Sequence, residues 1–267
     1  MNYEYVKFEV KSQVAWVTIN REEVRNALHQ PAHVELYSIW NMIDQDPNIR
    51  VAVLTGAGDK SFSAGNDLKF STELAKKGLN HNKLGNMPLG GFGGITNPRY
   101  RMSKPLIAAV NGFALGGGFE LALACDIIIA ADHAQFGLPE PTVGLVAGAG
   151  GMHRLPRQIP YKVAMGMMLT ARRLSAQDAF GYGLVNQICP LDDLYSVVSE
   201  WASDIIKCAP LAIQGTKEAS TIGFDLPLEA AFNKTYYWID LHMASPDRLE
   251  GMSAFVEKRS PQWKGSV

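Results

Sequence analysis

Two glutamates and two glycine-bearing turns are the residues of this chain best suited to do chemistry. Glu120 follows Gly116-Gly117-Gly118, at the start of a stretch, Phe119–Ala124, with helix-forming composition. The first N–H groups of a helix have no intrahelical partner and carry partial positive charge. Glycine lets a ligand approach the backbone with no Cβ in the way, so this helix entry is a place to hold an oxyanion. Ala64-Gly65-Asn66 is a second such turn. Two backbone N–H groups converging on one carbonyl oxygen would stabilise an enolate as charge develops there. Glu140 stands between Pro139 and Pro141. A residue before proline is pushed to extended geometry, so a stiff, non-helical frame is expected for it. Two carboxylates on separate rigid segments could share one water, and low dielectric could leave one of them protonated. On spacing alone, Glu120 also reads as a helix-dipole partner and Glu140 as a salt-bridged loop acid, and function stays open.

Other chemistries lack their signatures. There is no GxxxxGK[ST] loop, the glycine clusters at 90–94, 116–118 and 148–151 do not match GxGxxG after a strand, and Ser61 and Ser63 sit in no GxSxG elbow. The histidines form no HExxH and the cysteines no CxxC, so no dedicated metal site is expected. His29 and His33, four residues apart, read as solvated helix residues. Cys125, Cys189 and Cys208 lie far apart in apolar surroundings and read as reduced core thiols in a reducing, cytoplasmic setting.

The elements that must position these groups alternate. Tyr5–Val10 and Val14–Ile19 read as a hairpin, followed by a helix capped by Asn26 and running to about Gln45. Val51–Leu54, Leu106–Val110 and Ile127–Ala131 are short apolar strands. Residues 76–98 form a long Gly-, Asn- and Pro-rich loop of the kind that covers binding sites. From Tyr161 on the pattern is mainly helical: Val163–Leu169, Ala176–Ala179 capped by Ser175, Leu194–Ile206, Pro210–Ser220, a long helix from Leu226 to Ala244, and Asp247–Lys258. This order implies an α/β core with a helical C-terminal region. Phe232, Tyr236, Tyr237, Trp238 and Leu241 supply more apolar surface than one thin layer buries, which points to a partner subunit. A chain of 267 residues, 47% hydrophobic and 19% charged, with net charge -1, is an ordinary globular protein and a poor general binder of nucleic acid or anionic membranes. The start resembles neither a signal nor a transit peptide, and no apolar run approaches a membrane span.

Several stretches together resemble the crotonase superfamily, the enoyl-CoA hydratases and isomerases: Asn26-Ala27-Leu28, SFSAGNDLK (61–69), KPLIAAVNGFALGGGFELALACD (104–126), AQFGLPEPTVGL (134–145), GAGGMHRLPR (148–157), SAQDAFGYGLVN (175–186) and GMSAFVEKR (251–259). The resemblance covers nearly the whole chain. It implies an α/β crotonase-like spiral of ββα units, residues 1–195, with a helical C-terminal oligomerisation region, residues 196–267, that builds homotrimers, commonly stacked as hexamers.

The resemblance also implies roles. The thioester carbonyl of an acyl-CoA would sit between the backbone N–H groups of Asn66 and Gly117. Asn66, Asp67, Leu68 and Lys69 would line the CoA path, and Lys258 would reach the CoA, of a neighbouring subunit in some members. Family hydratases carry a glutamate at both positions matching Glu120 and Glu140, whereas many isomerases keep only the second. The implied reaction is therefore reversible hydration of a 2-enoyl-CoA. Glu120 would deprotonate the water that adds at the β-carbon, and Glu140 would deliver a proton to the α-carbon. No metal or redox cofactor is needed, since CoA is part of the substrate; the partners are the acyl-CoA and other copies of the chain, with no nucleic acid or membrane. Asn66 departs from the alanine often found at its position. The run GNMPLGGFGGI (85–95) and the ending RSPQWKG (259–265) are similar to those of members hydrating polar or branched acyl chains, the crotonobetainyl-CoA hydratases (carnitinyl-CoA dehydratases) among them. Double-bond isomerisation, C–C bond hydrolysis and RNA binding also occur in the superfamily.

Overall fold

A computed structural model describes residues 3–78 and 87–266. Residues 79–86 of the long loop, with Gly85 and Asn86 of the 85–95 run, therefore lie outside the described residues. Val6–Lys11 (β1) and Val14–Ile19 (β2) form the expected antiparallel hairpin, turned through Ser12 and Gln13, both at positive φ. Gln30–Gln45 (α1) follows, completing one ββα unit.

The pattern repeats three times. Val51–Gly56 (β3), Ser61–Ser63 (β4) and Leu68–Lys76 (α2) make the second unit; Leu106–Val110 (β5), Phe113–Leu115 (β6) and Gly117–Ala124 (α3) the third; Ile127–Ala131 (β7), Gln135–Gly137 (β8) and Gly151–Gln158 (α4) the fourth. Both strands of the first unit and the first strands of the others join one six-stranded sheet, β1-β2-β3-β5-β7-β10, where β10 is Gln187–Cys189. The second strands of the later three units stack as a separate sheet, β4-β6-β8-β9, closed by Leu174–Ser175 (β9). Outside the β1–β2 and β8–β9 pairs the ladders are parallel, as winding in one direction requires. This is the expected spiral of ββα units. The three-residue strands β4, β6 and β8 are too short to announce themselves by alternation, yet they carry the site.

Two expectations for α1 are overturned. Asn26 does not cap it: the helix starts at Gln30 with a proline in its first turn, where a missing N–H is harmless. Asn26 is instead buried at positive φ. Its amide donates to Ala57 O (2.9 Å) and Ser61 O (2.7 Å), and its Oδ1 accepts the Arg21 N–H at 3.1 Å, so it bolts three loops together. His29 and His33 are not solvated; they are 6% and 3% exposed. The segment around Phe92 lies over this face of α1. His33 Nδ1 accepts the Gly93 N–H at 3.0 Å, while Trp40 Nε1 donates to Gly93 O at 2.7 Å. Both backbone polar groups of buried Gly93 are thereby satisfied by α1. Burial holds the His33 imidazole neutral, down to about 3, so the acceptor persists across the working range. Replacing His33 by Leu strands the Gly93 N–H and should lower unfolding stability by about 1–3 kcal/mol in denaturant melts; an unchanged midpoint would show that this peptide needs no partner.

After α4 come Tyr161–Thr170 (α5) and Ala176–Gly181 (α6), the latter capped by Ser175, whose hydroxyl accepts the Asp178 N–H. Leu194–Ile206 (α7) buries Leu194, Val198 and Ala202 against Val51, Val53, Ile107 and Ile129 of the six-stranded sheet. The boundary expected at 195/196 thus falls within a helix that packs on the sheet. Pro210–Gly223 (α8), Leu228–Phe232 (α9), Tyr237–Ala244 (α10) and Asp247–Glu257 (α11) complete the chain. The single helix expected over 226–244 is broken. Tyr236 turns inward, its hydroxyl donating to Ala231 O at 2.9 Å, and the Trp238 N–H donates to Glu218 Oε2 at 2.8 Å, which starts α10 afresh along α8. All three cysteines are free thiols, but Cys208 is exposed rather than in the core. No helix among the described residues is long and apolar enough to cross a membrane.

Candidate active site

Consecutive units meet where β4 and β6 run into their helices. Gly65 has φ +90, and a Cβ there would lie 2.7 Å from Gly117 N and 2.8 Å from Leu115 O. Only glycine permits that approach of two backbones. Residues 65–67 are locked by a parallel bridge: the Leu28 N–H donates to Gly65 O (2.7 Å), and the Asp67 N–H to Leu28 O (2.8 Å). Among the described residues, the Asn66 N–H between them meets no acceptor. Gly117 is the first residue of α3, so its N–H precedes the helix's own ladder. The Phe92 ring lies against it, and a Cβ on Gly117 would stand 2.5 Å from that ring. The two donors expected from the sequence are thus on neighbouring turns.

Glu120 lies one turn into α3 and is 3% exposed. Its Oε1 accepts the Gly151 N–H at 2.8 Å, so this buried carboxylate caps the start of α4. Burial pushes its carboxyl up to about 7; the charge of Glu140 pushes the same way, while the Gly151 and Ala149 N–H groups and Arg154 pull it down. Glu140 does not have the extended frame expected of it. It opens a 3₁₀ turn, Glu140–Val143, because the fixed φ of its flanking prolines suits a first helical turn. The turn is closed by the Leu145 N–H on Glu140 O at 3.0 Å and by Gly144 in the left-handed region. Glu140 Oε1 faces Gly116, where a Cβ would come within 3.1 Å, and its Oε2 is buried without a partner among the described residues. Burial raises the Glu140 carboxyl too.

A cavity of about 1670 Å³ is lined by Asn66, Leu68, Gly117, Glu120 and Glu140 together, and by Phe92, Leu145 and Arg154. The remaining expected residues are placed otherwise. Asp67 caps α2 through the Phe70 N–H and pairs with Arg21 Nη2 at 3.0 Å, so its carboxylate is committed to structure. Lys69 is exposed and outside the cavity lining. Lys258 ends α11 in the left-handed conformation, exposed and also outside that lining. The Asn66 amide donates to Ser71 Oγ at 3.2 Å, which in turn donates to Asp67 O at 2.9 Å. That anchoring to the first turn of α2 is something an alanine would not make. No three His, Cys, Asp or Glu residues among those described are grouped to hold a metal ion.

Phe92, the 149–151 loop and Arg154 are members of the site that spacing did not single out. Phe92 arrives from an irregular segment remote from Gly117 in sequence, with no pattern to mark it. Arg154 was visible only as part of the GMHRLPR stretch.

The family model described as enoyl-CoA hydratase/isomerase matches residues 9–266. The (E)-benzylidenesuccinyl-CoA hydratase of Thauera aromatica is 41% identical over 261 residues, covering 98% of this chain and 99% of that protein. The carnitinyl-CoA dehydratase of Escherichia coli K12 is 39% identical over 253 residues, 93% and 94% of the two chains. Among solved structures, an enoyl-CoA hydratase from Bacillus anthracis superposes with a TM-score of 0.89 at 37% identity, covering 98% of this chain and all of that one.

Proposed function

The chain belongs to the enoyl-CoA hydratase/isomerase family, and on that premise we propose that it hydrates a 2-enoyl-CoA thioester reversibly, with Glu120 and Glu140 as its acid–base pair. The observation that carries this reading is the meeting of both carboxylates and two backbone donors on one cavity. The Asn66 and Gly117 N–H groups hold the thioester oxygen and stabilise the enolate. Burial raises the proton affinity of both carboxyls, which suits a pair that must take up and hand on protons. Glu120 takes a proton from water as its oxygen bonds to the β-carbon. The C=C electron pair moves toward the thioester, and Glu140 gives its proton to the α-carbon. One water is added, and the pair's proton has moved from Glu140 to Glu120, to be exchanged before the next turn. Leu68 and Asn66 line the exit for CoA. Lys258 would serve only from a neighbouring copy in a homotrimer or hexamer, for which exposed Leu228, Phe232, Leu249, Phe255 and Val256 supply apolar surface.

A substrate with a polar or branched acyl group is favoured by a specific observation. Met87, Phe92 and Ile95, from the run resembling hydratases of such acyl chains, line the cavity, and the Thauera and Escherichia relatives bear names of that kind. The test is the absorbance of the conjugated thioester on adding protein to crotonyl-CoA, crotonobetainyl-CoA and benzylidenesuccinyl-CoA. Absorbance should fall with at least one, and Glu140→Gln should slow that reaction about 10²-fold. Migration of the double bond without uptake of water, surviving in Glu120→Gln, would make the protein an isomerase instead.

A further inference from the structure

Arg154 is a half-buried guanidinium that forms no ion pair among the described residues. Its Nη2 donates to Thr96 O at 2.9 Å and its Nη1 to Ala149 O at 3.5 Å. Thr96 ends the segment that lays Phe92 on Gly117, and Ala149 begins the loop whose N–H groups face Glu120. Gly150 lies between, at φ +113, and a Cβ there would run into the guanidinium. The side chain therefore packs against the loop that carries Gly151, the hydrogen-bond donor to Glu120.

We propose that Arg154 is a positioning residue: its guanidinium fastens the Phe92 segment to the 149–151 loop and places a half-buried positive charge on the loop that holds Glu120. The inference rests on the proposed role of Glu120 as the base. A fork of donors suits two carbonyls on different loops, which one ammonium cannot span in the same way. A cation held there without its own carboxylate acts on the nearest anion, weakened by the solvent that reaches a half-buried side chain. The charged groups facing Glu120 are Glu140, from the 140–143 turn, and Arg154, from α4; Cys125, at the end of α3, also faces Arg154. Burial raises the proton affinity of Glu120 most and Glu140 adds to it, while the Gly151 and Ala149 N–H groups and, by the smallest of these effects, Arg154 lower it.

Two variants separate the functions. Arg154→Lys keeps the charge and loses the fork; Arg154→Met loses both. The Glu120 carboxyl is followed by carbon NMR through a pH titration of the full-length protein, its signal assigned by its absence in Glu120→Gln. Its midpoint should rise in Arg154→Met and stay near the wild-type value in Arg154→Lys. With whichever enoyl-CoA the wild type hydrates, kcat in Arg154→Lys should fall about tenfold or more from loosened loops, with the acid limb of the pH profile unmoved. An unshifted midpoint in Arg154→Met, or an equal shift in both variants, overturns the proposal. If Arg154→Met does not fold, Arg154→Gln takes its place in the titration. A wild type inert toward every enoyl-CoA would defeat the hydratase reading alone, because the titration needs no turnover.

Discussion

Replacing Glu120 by Gln should slow hydration by about 10²–10⁴-fold and, at alkaline pH, make the protein harder to unfold. The amide keeps the shape of the side chain and still offers an oxygen to the Gly151 N–H. What it loses is the ability to take a proton from water. The stability gain follows from the burial that tunes the base. Glu120 titrates at about 7 in the fold against an ordinary 4.5, so folding favours its protonated form. Below pH 4.5 both states are protonated and nothing is lost. Between 4.5 and 7 the unfolded chain sheds the proton while the fold retains it, and stability falls as pH rises. Above about 7 the full penalty, on the order of 3 kcal/mol, is present. Denaturant melts at pH 5 and pH 8 should therefore show wild type and Glu120→Gln close together at the lower pH and the variant clearly ahead at the higher. Equal midpoints at pH 8 would mean that Glu120 is not a strained base.

Gly65→Ala should disrupt the proposed oxyanion site without touching either glutamate. At φ +90 an alanine is strained by about 1–3 kcal/mol. Its Cβ would also meet two backbone atoms, Gly117 N at 2.7 Å and Leu115 O at 2.8 Å, which cannot rotate away. The Ala64–Asn66 turn and the start of α3 must then separate, and the two N–H groups no longer converge on one oxygen. A fall in kcat of about 10²–10³-fold is expected, with a lowered melting temperature. Gly183→Ala is the comparison: its φ is +77 but nothing lies within 4 Å of the added carbon, so it should lose stability and keep kcat. Equal kcat losses in both variants would assign the effect to strain in general rather than to the donor pair.

The residues legible in the chain were those whose chemistry is local. Glu120 after three glycines, and Gly117 at a helix start, announce themselves because helix polarity and backbone access are properties of a few consecutive residues. The strands β3, β5 and β7, buried in a parallel sheet, read as short apolar runs for the same reason. Contacts between units left no such trace. His29 and His33 read as surface residues because nothing near them in sequence shows that Gly93 will lie over α1. Asn26 read as a cap because its true partners, the Ala57 and Ser61 carbonyls, are 31 and 35 residues away. Glu140 reads as extended because Pro141 restricts it, whereas the fit of both prolines to a tight turn depends on the Leu145 N–H closing on Glu140 O.

The spiral distributes the proposed chemistry over successive repeats. Thioester polarisation is shared between the second unit, through Asn66, and the third, through Gly117; the base stands on the third; the acid stands alone on the fourth, in one four-residue turn between β8 and α4. The acid alone thus has a unit to itself. A change confined to Glu140–Val143 would re-equip the enzyme at the α-carbon while leaving CoA recognition and oxyanion binding as they were. Such a division of labour lets one scaffold exchange its proton chemistry as a module, with the thioester handle inherited intact.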